Sequence, residues 1–516
     1  MRNRVRSLGR RLSGSMFCLA VMTGFLASVG LAADESLKVG VAQVEITPPL
    51  GFPMAGYYHE RLATGTIDPL WAKAVYFQNG ETQCAWVVCD LTGVSTDLSN
   101  AVRQQAAKNT GIPVEHLVVS GTHSHTAPSY YRSLYLAQGP ADDLKSDRDR
   151  QWAAYTGELI NQIAQAIADA QKAAQPVRLL SGSVQQETQV SYCRRSVMQD
   201  GSVRTWVGLK HPQAVRLTAP IDPEIGLIQI LSAKDNAPTG LISNFALHLD
   251  TTGGLLWSAD YPYAIEQTVR RALGENVISL FGTGCCGDIN HIDPTGKPRR
   301  KAVEIGEILG QTMVAGLPQL SPVNDLRLQV RQQIVPLALQ EVAPAEVLHS
   351  LDLLKTVKSG QKIDFYDHVR ACKRMMLDQL THGQPHPETE DYVLGPSRLL
   401  QGIGESLPVD VTVMTLGRDI ALVFLPGEVF TELGMSIKRA SPFRTTLVVE
   451  LTNHVETMYI PNRQGYVGGG YEPTNSLVQP GSGERLVEAA VSLLRESATE
   501  LMRNPPATEK NPSQKK

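Results

Sequence analysis

The chain is poor in aromatic residues, 6% of its 516 positions, and it has no surplus of positive charge, with 48 Lys and Arg against 51 Asp and Glu. Without a basic excess, neither nucleic acid nor an anionic membrane surface is expected as a partner. Cysteines are few, and no Cys-x-x-Cys pair exists among them, which argues against a zinc knuckle. There is no internal repeat and no Gly/Ser linker between residues 37 and 500. These absences exclude a solenoid, a flexibly tethered array and a small disulfide scaffold. What is present is a globular composition, 42% hydrophobic and 19% charged, long enough for a large core.

Residues 1–32 read as a secretory signal peptide. Arg2, Arg4, Arg6, Arg10 and Arg11 form a positive region, 16–26 is a short apolar region, and small residues lead to cleavage near Ala32 or Ala33. A membrane anchor is the competing reading, but the apolar run falls short of the roughly 20 residues a span needs. The expected destination is periplasmic or secreted, by a Sec or a twin-arginine route. In an oxidising compartment one or two disulfides can form, although Cys84 and Cys89 on one apolar run read as buried thiols.

The pattern predicts a single α/β domain over 37–503, with a large mixed β-sheet flanked by helices. Strands are expected at 38–46, 71–77, 82–89, 116–119, 177–184, 225–231, 239–247, 277–281, 326–336, 409–416, 420–425 and 446–451. Asn79-Gly80 is a hairpin turn between two of them. Helices are expected at 97–109, capped by Ser95 or Thr96 and closed by Gly111, and at 149–173, 301–315, 428–440 and 483–503. Residues 343–383 form a polar helical insertion, and 504–516 a disordered tail.

Five stretches carry chemistry at strand ends, where α/β proteins bind ligands. The first is Ser120-Gly121-Thr122-His123-Ser124-His125. An extended backbone there would project both histidines from one face, as a metal site or as one ligand beside a proton-transfer group. The second is the run Asn244 to His248. The third is the glycine-rich loop Gly282 to Asn290, which fits neither a Rossmann nor a P-loop pattern. The fourth is Leu425-Pro426-Gly427-Glu428, and the fifth is the loop holding Tyr459, Tyr466 and Tyr471.

In this order, with Met54-Ala55-Gly56-Tyr57 ahead of them, the elements resemble the catalytic domain of the neutral (non-lysosomal) ceramidases over roughly residues 37 to 500. The resemblance implies a zinc ion held by His123, His248, Glu428 and Tyr459, with Tyr466 the other match for the tyrosine. It implies His125 beside the metal water, Arg195 on the substrate and Gly56 at the substrate mouth. Zinc lowers the pKa of its water to about 7, and the hydroxide attacks an amide carbonyl. Tyr459 or Tyr466 would stabilise the oxyanion and His125 would pass the proton to the leaving nitrogen. The expected substrate is ceramide or another N-acyl compound, either a lipid or a small amide, with peripheral membrane contact for a lipid.

Two departures from the family are expected. The immunoglobulin-like domain that usually follows the catalytic domain has no counterpart here. Asn290 stands where the family has a serine, so no acyl-enzyme can form there, although its amide can still donate to an oxyanion. The competing functions are a metal-dependent hydrolase of another ester or amide, and a non-catalytic secreted binding protein on the same fold.

Overall fold

A computed structural model describes residues 36–383 and 397–503. The predicted signal peptide and C-terminal tail lie outside the described residues.

Strand Thr82–Cys89 shows how the sequence builds the core. Cys84, Trp86 and Val88 point to one hydrophobic cluster, and Ala85, Val87 and Cys89 to another. Side chains alternate across a strand, so a strand buried on both faces reads as one continuous apolar run. Its sheet has nine strands. Eight lie in the order Ile278–Thr283, Pro238–Phe245, Glu224–Ser232, Gln175–Gln185, Lys38–Glu45, Trp71–Asn79, Thr82–Cys89, Leu117–Gly121, and Ser321–Pro322 pairs with Gln175–Gln185. The pairs at the two ends of this order are parallel and those between them antiparallel. The sheet is mixed, as expected.

A second, four-stranded sheet was not foreseen as separate. It runs Leu328–Ala338, Ser406–Leu416, Ile420–Phe424, Thr445–Val449. Met414, Leu422, Phe424, Leu447 and Val449 meet Trp86, Val118, Ile228 and Leu280 in one cluster, so the two sheets pack face to face. Helices cover the outer faces. Thr96–Thr110 and Asp147–Lys172 lie on one half of the large sheet, and Tyr261–Leu273 and Ala302–Gly316 on the other. Thr431–Ala440 and Ser482–Arg503 cover the small sheet, together with Pro344–Lys358 and Phe365–His382 from the predicted insertion. The result is four layers, helix, sheet, sheet, helix.

Ser95 caps Thr96–Thr110 through its side chain, and Gly111 closes that helix at φ 74°. The helix predicted from Glu428 begins instead at Thr431. Glu428–Val429 is a short strand paired in parallel with Tyr459–Ile460, with Glu428 opposite Tyr459. Cys84, Cys89, Cys193, Cys285 and Cys286 are buried free thiols. Among the described residues, no helix is long and apolar enough to cross a membrane.

Candidate metal centre and active site

The carboxyl ends of four strands are tied together at one place. Thr283 Oγ1 donates to the Thr122 carbonyl at 2.8 Å, Glu450 N to Thr283 O at 3.0 Å, Gly121 N to Leu451 O at 3.1 Å and Gly284 N to Phe245 O at 2.9 Å. These bonds join the loops after Leu117–Gly121, Pro238–Phe245, Ile278–Thr283 and Thr445–Val449. The chemistry-bearing loops therefore share one rim.

His123 and His125 are brought to it by a turn, not by continued strand. The strand stops at Gly121, and His123 takes a left-handed backbone, φ 79°, which is uncommon for a residue with a Cβ and costs of order 1–3 kcal/mol. Neighbouring backbone holds it there, with His123 N bonded to Leu91 O at 2.8 Å and His125 N to Leu249 O at 3.1 Å.

Three imidazole Nε2 atoms converge. His123 and His248 are 3.0 Å apart, His125 and His248 3.2 Å, and His125 and His123 3.4 Å. His123 Nδ1 lies 2.6 Å from the Thr92 carbonyl, which can only accept, so the proton sits on Nδ1 and the Nε2 lone pair faces the centre. His248 Nδ1 lies 4.0 Å from Cys286 Sγ. Burial holds His125 down to about 4 and His248 well below the usual imidazole range, so both rings are neutral near pH 7. Glu428 Oε2 is 3.3 Å from His123 Nε2, yet this buried oxygen has no hydrogen-bond partner.

Lone pairs crowded at 3.0–3.4 Å beside an unpartnered carboxylate oxygen repel one another unless a cation lies between them. The donor set of imidazole nitrogens and a carboxylate oxygen suits zinc. His123, His125 and His248 form the metal-capable group among the described residues. Glu428 and Tyr459 border it through the short parallel strand pair.

The remaining expected residues fall less uniformly. Gly56, at φ 95°, backs onto His125, and a Cβ there would meet the imidazole at 2.7 Å. Only glycine permits that approach. Arg195 turns away from the cluster. It is 2% exposed, pairs with Glu472 at 3.1 Å and donates to the Gly465 and Gly469 carbonyls. Its neighbour Arg194 faces the site, donating to Tyr459 Oη at 3.0 Å, to Gly287 O at 2.8 Å and to Glu472 at 2.8 Å. Tyr466 is also directed elsewhere, since its hydroxyl bonds Val478 O at 2.8 Å and Ser476 Oγ at 2.9 Å. The tyrosine beside Tyr459 is Tyr471, with ring centroids 5.7 Å apart. Asn290 is buried, and its Oδ1 accepts from Ile292 N at 3.0 Å in a local turn.

Other residues were missed by the sequence reading. Asp250 Oδ1 lies 3.8 Å from His125 Nδ1 and accepts from the Tyr57 hydroxyl at 2.8 Å. Glu450 accepts from Cys286 Sγ at 3.0 Å and from Val429 N at 2.6 Å, joining the loop behind His248 to the residue after Glu428. Asp250 stands two residues beyond His248, a local signal; nothing local marks Glu450.

Residues 37–254 match the family model for neutral/alkaline non-lysosomal ceramidase, N-terminal. Over that stretch the chain is similar to the neutral/alkaline non-lysosomal ceramidases. The ceramidase match takes in His123, His125 and His248, while Glu428 and Tyr459 lie beyond it. The fold extends the likeness. Neutral ceramidase from Pseudomonas aeruginosa superposes with a TM-score of 0.64 at 18% identity, over 92% of this chain and 76% of that one. A structure described as ceramidase complexed with C2 gives 0.64 at 17% identity, with the same coverage. No curated protein matches the chain. The protein is a ceramidase-like hydrolase.

Proposed function

We propose that the protein is a zinc-dependent amidohydrolase that cleaves the N-acyl amide of ceramide or a related N-acyl compound. The observation that carries this reading is the convergence of three Nε2 atoms within 3.0–3.4 Å beside the unpartnered Glu428 oxygen. His123, His248, Glu428 and Tyr459 would hold the ion. When bound, zinc supplies Lewis acidity, polarising a carbonyl and lowering the pKa of water to about 7.

The side chains have separable tasks. His125 presents Nε2 to the centre and Nδ1 to Asp250, which Tyr57 orients. A proton taken at His125 Nε2 from water can pass to the leaving nitrogen, and the Asp250 carboxylate stabilises the charged ring meanwhile. Arg194 holds the Tyr459 hydroxyl at 3.0 Å, and its guanidinium charge favours negative charge growing on a carbonyl oxygen nearby. Export by the arginine-rich leader is part of the same proposal.

The test is a panel of N-acyl substrates, ceramides and small N-acyl amides, assayed with and without a chelator. Hydrolysis that the chelator abolishes and added zinc restores supports the reading. Hydrolysis indifferent to chelation contradicts the metal. Stoichiometric metal without turnover on any substrate favours the binding-protein alternative.

A further inference from the structure

A cavity of about 350 Å³ lies between the segment Gln189–Tyr192 and the loop that follows Asn290. The two walls are stitched together, because Ile289–Asn290 pairs antiparallel with Tyr192–Cys193, Asn290 opposite Tyr192. Its polar lining includes His291, Asp293, Lys297 and Arg300.

His291 is 7% exposed, and its buried Nδ1 has no hydrogen-bond partner. Arg300 is held at the wall by a bond from Nη1 to Gln189 O, 2.6 Å. Lys297 Nζ lies 3.6 Å from Asp293 Oδ2, while Asp293 Oδ1 is engaged by the Thr295 backbone and hydroxyl. Two cations against one carboxylate leave an excess of one positive charge, which suits a monoanion better than a dianion. The charged lining does not suit an alkyl chain.

The cavity wall leads to the catalytic side. Tyr192–Cys193, paired with Ile289–Asn290, runs directly into Arg194, which donates to Tyr459 Oη at 3.0 Å. A substrate whose amide lies at the histidine cluster can extend along this segment toward the cationic recess.

We propose that this cavity is an anion subsite taking the carboxylate of an N-acyl amino acid whose amide lies at the histidine cluster. The placement beside a scissile bond rests on the hydrolytic reading above. Arg300 and Lys297 meet the carboxylate, and the His291 ring forms part of the wall beside it. The substrate class is thereby narrowed to N-acyl compounds with a carboxylate on the amine side.

The experiment compares N-hexanoylglycine with N-hexanoylethanolamine, which share an acyl chain and an amide and differ in the anion. Both are assayed with the zinc-loaded full chain and with Lys297→Gln/Arg300→Gln, at partly exposed positions that spare the core; His291→Phe is the second variant. Binding of N-hexanoylglycine is measured in parallel by calorimetry. The expected result is a kcat/KM preference of about 10- to 100-fold for the glycine compound, the scale of one charge-assisted hydrogen-bond pair. The double variant loses that preference through KM and leaves the ethanolamine compound unchanged; His291→Phe weakens it in the same direction. Equal turnover of both compounds, or an equal loss on both in the variants, overturns the subsite while leaving hydrolysis intact. Calorimetric binding that needs Lys297 and Arg300, without turnover of either amide, keeps the subsite and overturns the hydrolytic reading. Neither binding nor turnover overturns both.

Discussion

His123 and His125 are two positions apart, yet their rings are held for different work. His123 is 3% exposed, its Nδ1–H is fixed on the Thr92 carbonyl and its Nε2 approaches Glu428. His125 lies at the rim, with Asp250 and Tyr57 behind it and Gly56 against its ring. A ligand needs the first environment and a proton carrier the second. His125→Ala is accordingly expected to keep its metal, because His123, His248, Glu428 and Tyr459 remain, and to lose about 10²–10⁴-fold in kcat. Metal content measured alongside the rate checks this; loss of metal would make His125 a ligand instead. The histidines were legible in the sequence because they stand at strand ends. Their convergence was foreseen for an extended backbone, whereas the positive φ of His123 and a backbone bond to Leu249 produce it. That information is tertiary.

Among the elements, the short strand pair Glu428–Val429 and Tyr459–Ile460 does most to assemble the site. The sequence pattern read through it as helix, since Gly427-Glu428 resembles a helix start and a two-residue parallel strand has no periodicity to detect. The same limit explains the arginines. Arg194-Arg195 leads into a four-residue strand, Arg195–Met198, and which guanidinium faces the site is decided by pairing that no local pattern records. Both arginines converge on Glu472, which is fully buried and also accepts from Thr205 Oγ1 at 2.9 Å. That carboxylate fastens the loop carrying Tyr466 and Tyr471 to the Arg194 segment. Glu472→Gln leaves two buried cations without their partner charge, so a loss of about 3–5 kcal/mol is expected in urea unfolding. A loss under 1 kcal/mol would mean that the backbone carbonyls alone suffice.

At the scale of the molecule, the strands and flanking helices were readable because sheets buried on both faces leave long apolar runs. Their division into two packed sheets was not, since an apolar run does not say which sheet it joins. The four layers also bury carboxyls outside the histidine cluster. Burial raises Asp68 to about 6 and Asp90 to about 7, and burial likewise raises Glu456 to about 7. In the unfolded chain these groups ionise near pH 4. Between about pH 4 and 7 the folded state therefore binds more protons, and their contribution to stability falls as pH rises through that window. Asp90→Asn is expected to flatten the decline of Tm from pH 5 to pH 8; an unchanged slope would show that Asp90 is ionised in the fold.

The scaffold matches a neutral ceramidase over 92% of the chain at 18% identity, so the claim that matters most concerns the centre that the scaffold carries. The direct measurement is anomalous diffraction at the zinc edge from crystals of the full chain. One zinc peak is predicted within about 2.0–2.2 Å of His123 Nε2, His248 Nε2 and a Glu428 oxygen, with Tyr459 Oη completing the set. No peak in zinc-supplemented crystals, or a peak bound by other residues, would contradict the account.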